Sequence, residues 1–155
     1  LSFGMSVIAW SQNLTDDVAS RHKVKLVTKE QLFTDSDVLT IHLQLSDRTK
    51  GIVGEHELDL MKESAYLINT SRGPIVDNKA LLDALKNKSI KGAGLDVFDS
   101  EPVNEADGFL KLDNTVLTPH LGYVTEEVYR IFYAETLEDI LCWLAADPVR
   151  ILGGS

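Results

Sequence analysis

The feature that most constrains this chain is an alternation. Short apolar runs are separated by stretches of helical period. Residues 5–10 (MSVIAW), 24–27 (VKLV), 38–42 (VLTIH), 65–69 (AYLIN), 93–97 (AGLDV) and 115–117 (TVL) read as strands. Several are continuously apolar, the pattern of parallel strands covered on both faces. Helical signals lie between them. Thr15 caps a helix over residues 16–22, and Thr28 with Gln31 forms a capping box for a short helix through Phe33. Asp77 precedes NKALLDALKNK, whose Leu81, Leu82 and Leu85 share one face. A final helix opens at Thr125 with Glu126 and Glu127 in its first turn, where negative charge suits the helix dipole. Val128, Ile131, Phe132, Ile140, Leu141 and Leu144 keep its period, and Pro148 is expected to end it. Strand–helix alternation predicts a doubly wound α/β fold with a parallel sheet.

Composition narrows the function classes. At 155 residues with 44% hydrophobic content, the chain can build one core. A formal charge of −9 disfavours nucleic acid as a partner. No apolar run reaches the roughly 20 residues of a membrane helix. No basic segment precedes the apolar N-terminal stretch, so no signal peptide is read there. The single cysteine, Cys142, falls in the last helix and allows no internal disulfide. These features point to a cytoplasmic protein with no membrane partner.

In doubly wound sheets, ligands bind beyond the carboxyl ends of the strands. The candidate functional residues are therefore Ser11, His42, the segment Thr70, Ser71 and Arg72, residues 96–101, and His120. Arg72, Glu101 and His120 follow three different strands that a parallel sheet brings together. A carboxylate beside an imidazole fixes its tautomer and favours its protonated form, which makes an acid–base unit. A guanidinium grips a carboxylate in two places. Together the three suit a small 2-hydroxy or 2-oxo acid. Taken singly, each has a plainer reading: a surface ion pair for Arg72, a solvated loop carboxylate for Glu101, a turn brace for His120.

The runs NTSRGPIVD, GLDVFDSEP and LTPHLGYVTEE, in that order, resemble successive signatures of the D-isomer-specific 2-hydroxyacid dehydrogenases. The resemblance covers essentially the whole chain. It implies a Rossmann-type domain and hydride transfer between NAD or NADP and a small D-2-hydroxy or 2-oxo acid. It implies Arg72, Glu101 and His120 as the catalytic set. It implies Asp96 against the nicotinamide amide, and Leu43, Thr70, Ser71 and Gly122 along the cofactor. Ser11, His42, Arg72 and His120 complete the expected cofactor-binding set. A homodimer is expected of the full-length form. The same resemblance admits a second class, the corepressor-type scaffold that senses nucleotide and binds proteins. A formate-type enzyme fits less well, since its relatives resemble a His–Gln pair.

Two departures from that family's pattern stand out. The chain contains no Gly-x-Gly-x-x-Gly run; Gly92 and Gly94 lead into a strand instead. Residues 1–146 are accordingly expected to be a dinucleotide-binding domain without its first strand and glycine loop. Residues 147–155 are expected to return toward a substrate domain that the sequence does not contain, and the 155-residue chain alone is expected to be inactive. The second departure is at Ser11. NAD-preferring relatives commonly place an Asp there to bind the ribose hydroxyls, whereas WSQN is neutral and no arginine immediately follows.

Overall fold

The structure, a computed structural model, describes residues 2–152. Its first compact unit runs from the N-terminus to His120 and its second from Leu121 onward. The first unit follows the order β1 (Ile8–Ala9), α1 (Asp16–Arg21), β2 (Lys25–Leu26), α2 (Lys29–Asp35), β3 (Val38–Ile41), α3 (Glu55–Asp59), β4 (Tyr66–Asn69), α4 (Asn78–Lys86), β5 (Gly92–Leu95) and β6 (Thr115–Leu117). All pairings between these strands are parallel.

The strands form two sheets, β1-β2 and β3-β4-β5-β6. No hydrogen-bond ladder joins β1 to β3 among the described residues. In the doubly wound order 3-2-1-4-5-6, one strand would stand between these two. The division therefore matches an α/β Rossmann-like domain without its central strand. β1 and β2 are two residues each, shorter than their apolar runs, and each is paired on one edge only among the described residues.

The helix starts follow their caps. The Thr15, Thr28 and Asp77 side chains accept the backbone N–H groups of Val18, Gln31 and Ala80. Gln31 completes the Thr28 capping box. The five-residue α3 was not foreseen. Glu57 caps it by accepting the Gly54 N–H at 2.9 Å.

One core joins α3, α4 and one face of the larger sheet: Leu39, Ile41, Leu67, Ala93 and Leu95 pack with Leu58, Met61, Leu81 and Leu85. The expectation of strands covered on both faces is corrected here. β3 alternates exposed and buried residues, and Val38, Tyr66 and Val116 are exposed on the larger sheet. Helices α2, α3 and α4 pack their buried residues into a single cluster, leaving those side chains uncovered.

The second unit is dominated by α5 (Glu126–Leu144), capped by the Thr125 hydroxyl. It stops at Leu144, earlier than the Pro148 stop expected from sequence, and Ala146 turns the chain at φ +60°. Tyr123 stacks on Phe132 within this unit at 6.4 Å between ring centroids.

Candidate active site

The sheet register sets the floor of the site. Ile41, Asn69, Leu95 and Leu117 are successive partners across β3, β4, β5 and β6. The strands therefore end level, and His42, Thr70, Asp96 and Thr118 leave the sheet at one height. The ladder continues one step beyond the strands: Asp96 N–H donates to Asn69 O, and Thr118 N–H donates to Leu95 O. The Thr118 hydroxyl then donates to Asp96 Oδ1 at 2.5 Å. Asp96 is 5% exposed.

The turn that carries Arg72 is built by Asn69, a side chain only 1% exposed. Its Oδ1 accepts the Ser71 N–H at 3.0 Å, and its Nδ2 donates to Arg72 O at 3.0 Å. A short polar side chain thus replaces the ladder where the strand stops. The Ser71 hydroxyl donates to Ile41 O at 2.8 Å, tying this turn to β3. Gly73 follows, and a Cβ there would lie 2.2 Å from Phe98 C and 2.6 Å from Asp99 N. Only glycine permits this approach of two backbones.

The close approach connects the arginine turn to the glutamate loop. Phe98 N–H donates to Glu101 Oε1 at 2.9 Å, and Glu101 Oε2 lies 2.7 Å from His120 Nδ1. The His120 hydrogen bond, followed by the Phe98 N–H, holds the Glu101 carboxyl below the usual carboxylate value. Arg72 adds a smaller charge effect in the same direction. His120 has φ +57°, in the left-handed region that non-glycine residues seldom occupy. Such conformations cost about 1–3 kcal/mol and gather at functional sites. The pair borders a cavity of about 560 Å³ whose other walls include Phe98, Val103, Leu110 and Leu117. The His120 and Glu101 side chains are 36% and 35% exposed.

The remaining candidates divide. Ser11 and Leu43 line one cavity of about 300 Å³ at the ends of β1 and β3. His42 turns back to Thr40, with Nε2 at 3.0 Å from its hydroxyl. Thr70 lies between Asn69 and Ser71 on the arginine turn. Gly122 belongs to the second unit. Asn69 and Thr118 were not singled out from sequence; Phe98 fell in the candidate segment 96–101, but its N–H contact to Glu101 was not foreseen. A polar Asn closing an apolar run immediately before Thr-Ser-Arg was the available signal for the first.

Level strand ends in a parallel α/β sheet, with a buried carboxylate and a hydrogen-bonded His–Glu pair on them, are the architecture of a Rossmann-like nucleotide-binding domain. The model of the D-isomer specific 2-hydroxyacid dehydrogenase NAD binding domain matches residues 1–122, and the chain belongs to that family. It is 45% identical over 125 residues to a glyoxylate reductase from Thermococcus litoralis, covering 81% of this chain and 38% of the relative. A phosphoglycerate oxidoreductase structure from Vibrio cholerae superposes with a TM-score of 0.87 at 31% identity, covering 94% of this chain and 47% of that one. A D-lactate dehydrogenase structure from Aquifex aeolicus, complexed with NAD and lactic acid, superposes with a TM-score of 0.78 at 28% identity, covering 94% of this chain and 48% of that one. The chain thus spans less than half the length of these relatives.

The residues present fit the two ends of a dinucleotide. Asp96, with Thr118 behind it, offers a buried acceptor for an amide. The cavity beside Ser11 has an apolar wall of Trp10, Leu43 and Ile52 for a base. The glycine loop that would cradle a pyrophosphate is not in the sequence. Among the described residues, no helix is long and apolar enough to cross a membrane.

Proposed function

We propose that the chain supplies the nucleotide-binding half of an oxidoreductase acting on a small D-2-hydroxy or 2-oxo acid. The observation that carries this reading is the 2.7 Å His120–Glu101 pair, within the electrostatic reach of Arg72 on level strand ends. Arg72 binds the substrate carboxylate through its guanidinium fork. Glu101 engages Nδ1 of His120, and Nε2 is the ring nitrogen that exchanges the proton with the substrate oxygen in this reading. In reduction, His120 gives its proton to the carbonyl oxygen; in oxidation, it takes the hydroxyl proton back. NAD(P), when bound, supplies or accepts the hydride. Asp96 accepts from the nicotinamide amide, and Leu43, Thr70, Ser71 and Gly122 border the cofactor, with Ser11 and His42 at its far end.

In this reading the full-length protein is a cytoplasmic homodimer. Residues 1–146 serve the nucleotide; the expected return of residues 147–155 toward a substrate-binding part lies partly outside the described residues, which end at Leu152. Turnover of glyoxylate or hydroxypyruvate by the full-length protein is the test. Nucleotide binding without turnover of any small 2-oxo acid would favour the scaffold class instead.

A further inference from the structure

The cavity of about 300 Å³ at the ends of β1 and β3 is lined by Trp10, Ser11, Gln12, Asn13 and Leu43 on two sides. Arg48 is the one charged residue in its lining. Arg48 stands on a braced turn. Ser46 N–H donates to Thr49 Oγ1 at 2.8 Å, and that hydroxyl donates to Gln44 O at 2.7 Å. Gly51 then turns the chain at φ +64°. Among the described residues, Arg48 has no hydrogen-bond or ion-pair partner, and its side chain is exposed. The other cation near Trp10 is already engaged. Lys29 lies 5.8 Å from the Trp10 ring centroid and pairs with Glu57 at 2.7 Å.

We propose that Arg48 receives the 2′-phosphate of NADP(H), and that this chain prefers NADP(H) to NAD(H). The inference rests on the dinucleotide-binding reading above and adds the choice of nucleotide. An acidic side chain at this strand end would bind the ribose hydroxyls and repel a 2′-phosphate. Ser11, Gln12 and Asn13 carry no charge but offer a hydroxyl and two amides as hydrogen-bonding groups. A guanidinium on a rigid turn presents a fork of donors matched to phosphate oxygens. Trp10, Leu43 and Ile52 leave an apolar wall for the adenine. Arg48 lies 37 positions beyond Ser11 in the chain (48 less 11), so the strand-end segment alone does not reveal it.

The test is calorimetric titration of the full-length protein with NADPH and NADH, and with adenosine 2′,5′-bisphosphate and 5′-AMP. The two smaller probes do not depend on the pyrophosphate cradle. NADPH is expected to bind at least about tenfold more tightly than NADH, the scale of one charge-assisted contact. Arg48→Gln should remove most of that difference, weakening NADPH and the bisphosphate while leaving NADH and 5′-AMP unchanged. Arg48→Lys should keep part of it. Because Arg48 is exposed and unpaired, these variants should fold as the parent does. Equal loss for all four ligands would overturn the inference, since the guanidinium would then be stacking on adenine. Tighter NADH than NADPH would overturn it while leaving the dinucleotide reading intact. Binding of neither dinucleotide would overturn both.

Discussion

Glu101 is held at both oxygens: Oε1 accepts the Phe98 N–H at 2.9 Å, and Oε2 meets His120 Nδ1 at 2.7 Å. The carboxylate can therefore neither rotate nor drift without losing a partner. The imidazole is aimed by a group that is itself aimed by the backbone of the β5 loop.

If His120 is the proton donor, its removal should spare binding and abolish chemistry. His120→Ala in the full-length protein should lower kcat for ketoacid reduction by about 10²–10⁴-fold, the usual contribution of general acid–base groups. The nucleotide dissociation constant should change little. Near-normal turnover would remove His120 from the mechanism.

Glu101→Gln separates charge from shape. Reduction needs the imidazolium, which a neutral amide stabilises less than a carboxylate does. The pH profile for reduction should therefore move to lower pH. Stability should respond as well. The folded-state pKa of Glu101 lies below its ordinary 4.5, chiefly through the His120 hydrogen bond. Its contribution is present above the unfolded value and is lost as pH falls through the folded one. The stability gap between parent and Glu101→Gln should thus narrow on acidification below 4.5. Parallel denaturation curves from neutral to acid pH would report it, and a constant gap would show that the carboxylate is not coupled in this way.

Gly73→Ala tests the contact between the arginine turn and the glutamate loop. The new methyl would fall 2.2 Å from Phe98 C and 2.4 Å from Phe98 O, both backbone atoms. The loop must move, at a cost of about 1–3 kcal/mol for overpacking. The Phe98 N–H should shift with it, releasing Glu101. Activity should fall further than the lost stability explains, measured as kcat under conditions where the variant is fully folded.

Much of this arrangement was legible in the chain, for identifiable reasons. The strand ends at Asn69 and Leu117 were placed to the residue because apolar runs stop where buried strands stop. The caps at Thr15, Thr28, Asp77 and Thr125 act locally, so a few adjacent residues specify them. What escaped depends on distant chain segments meeting. The need for glycine at position 73 comes from Phe98, and the setting of Arg48 comes from Ser11 across a cavity. Helix α3 escaped because five residues carry too little periodicity, although Gly54 and Glu57 held its cap. The exposed sheet face escaped because an apolar run reports what a strand can bury, not which neighbours cover it.

Asn69 should prove to be a positioning residue for Arg72. It is buried, and each end of its amide holds the backbone of the arginine turn. Asn69→Leu keeps the volume but leaves the Ser71 N–H and the Arg72 carbonyl unpaired, at about 1–3 kcal/mol for each buried group. Asn69→Asp keeps the acceptor for Ser71 but sets a second oxygen, on a buried carboxyl, against the Arg72 carbonyl. If the amide positions the guanidinium, both variants should raise KM for the 2-oxo acid more than they weaken nucleotide binding. Equal losses in substrate and nucleotide affinity would mean that Asn69 supports the sheet as a whole and has no particular hold on Arg72.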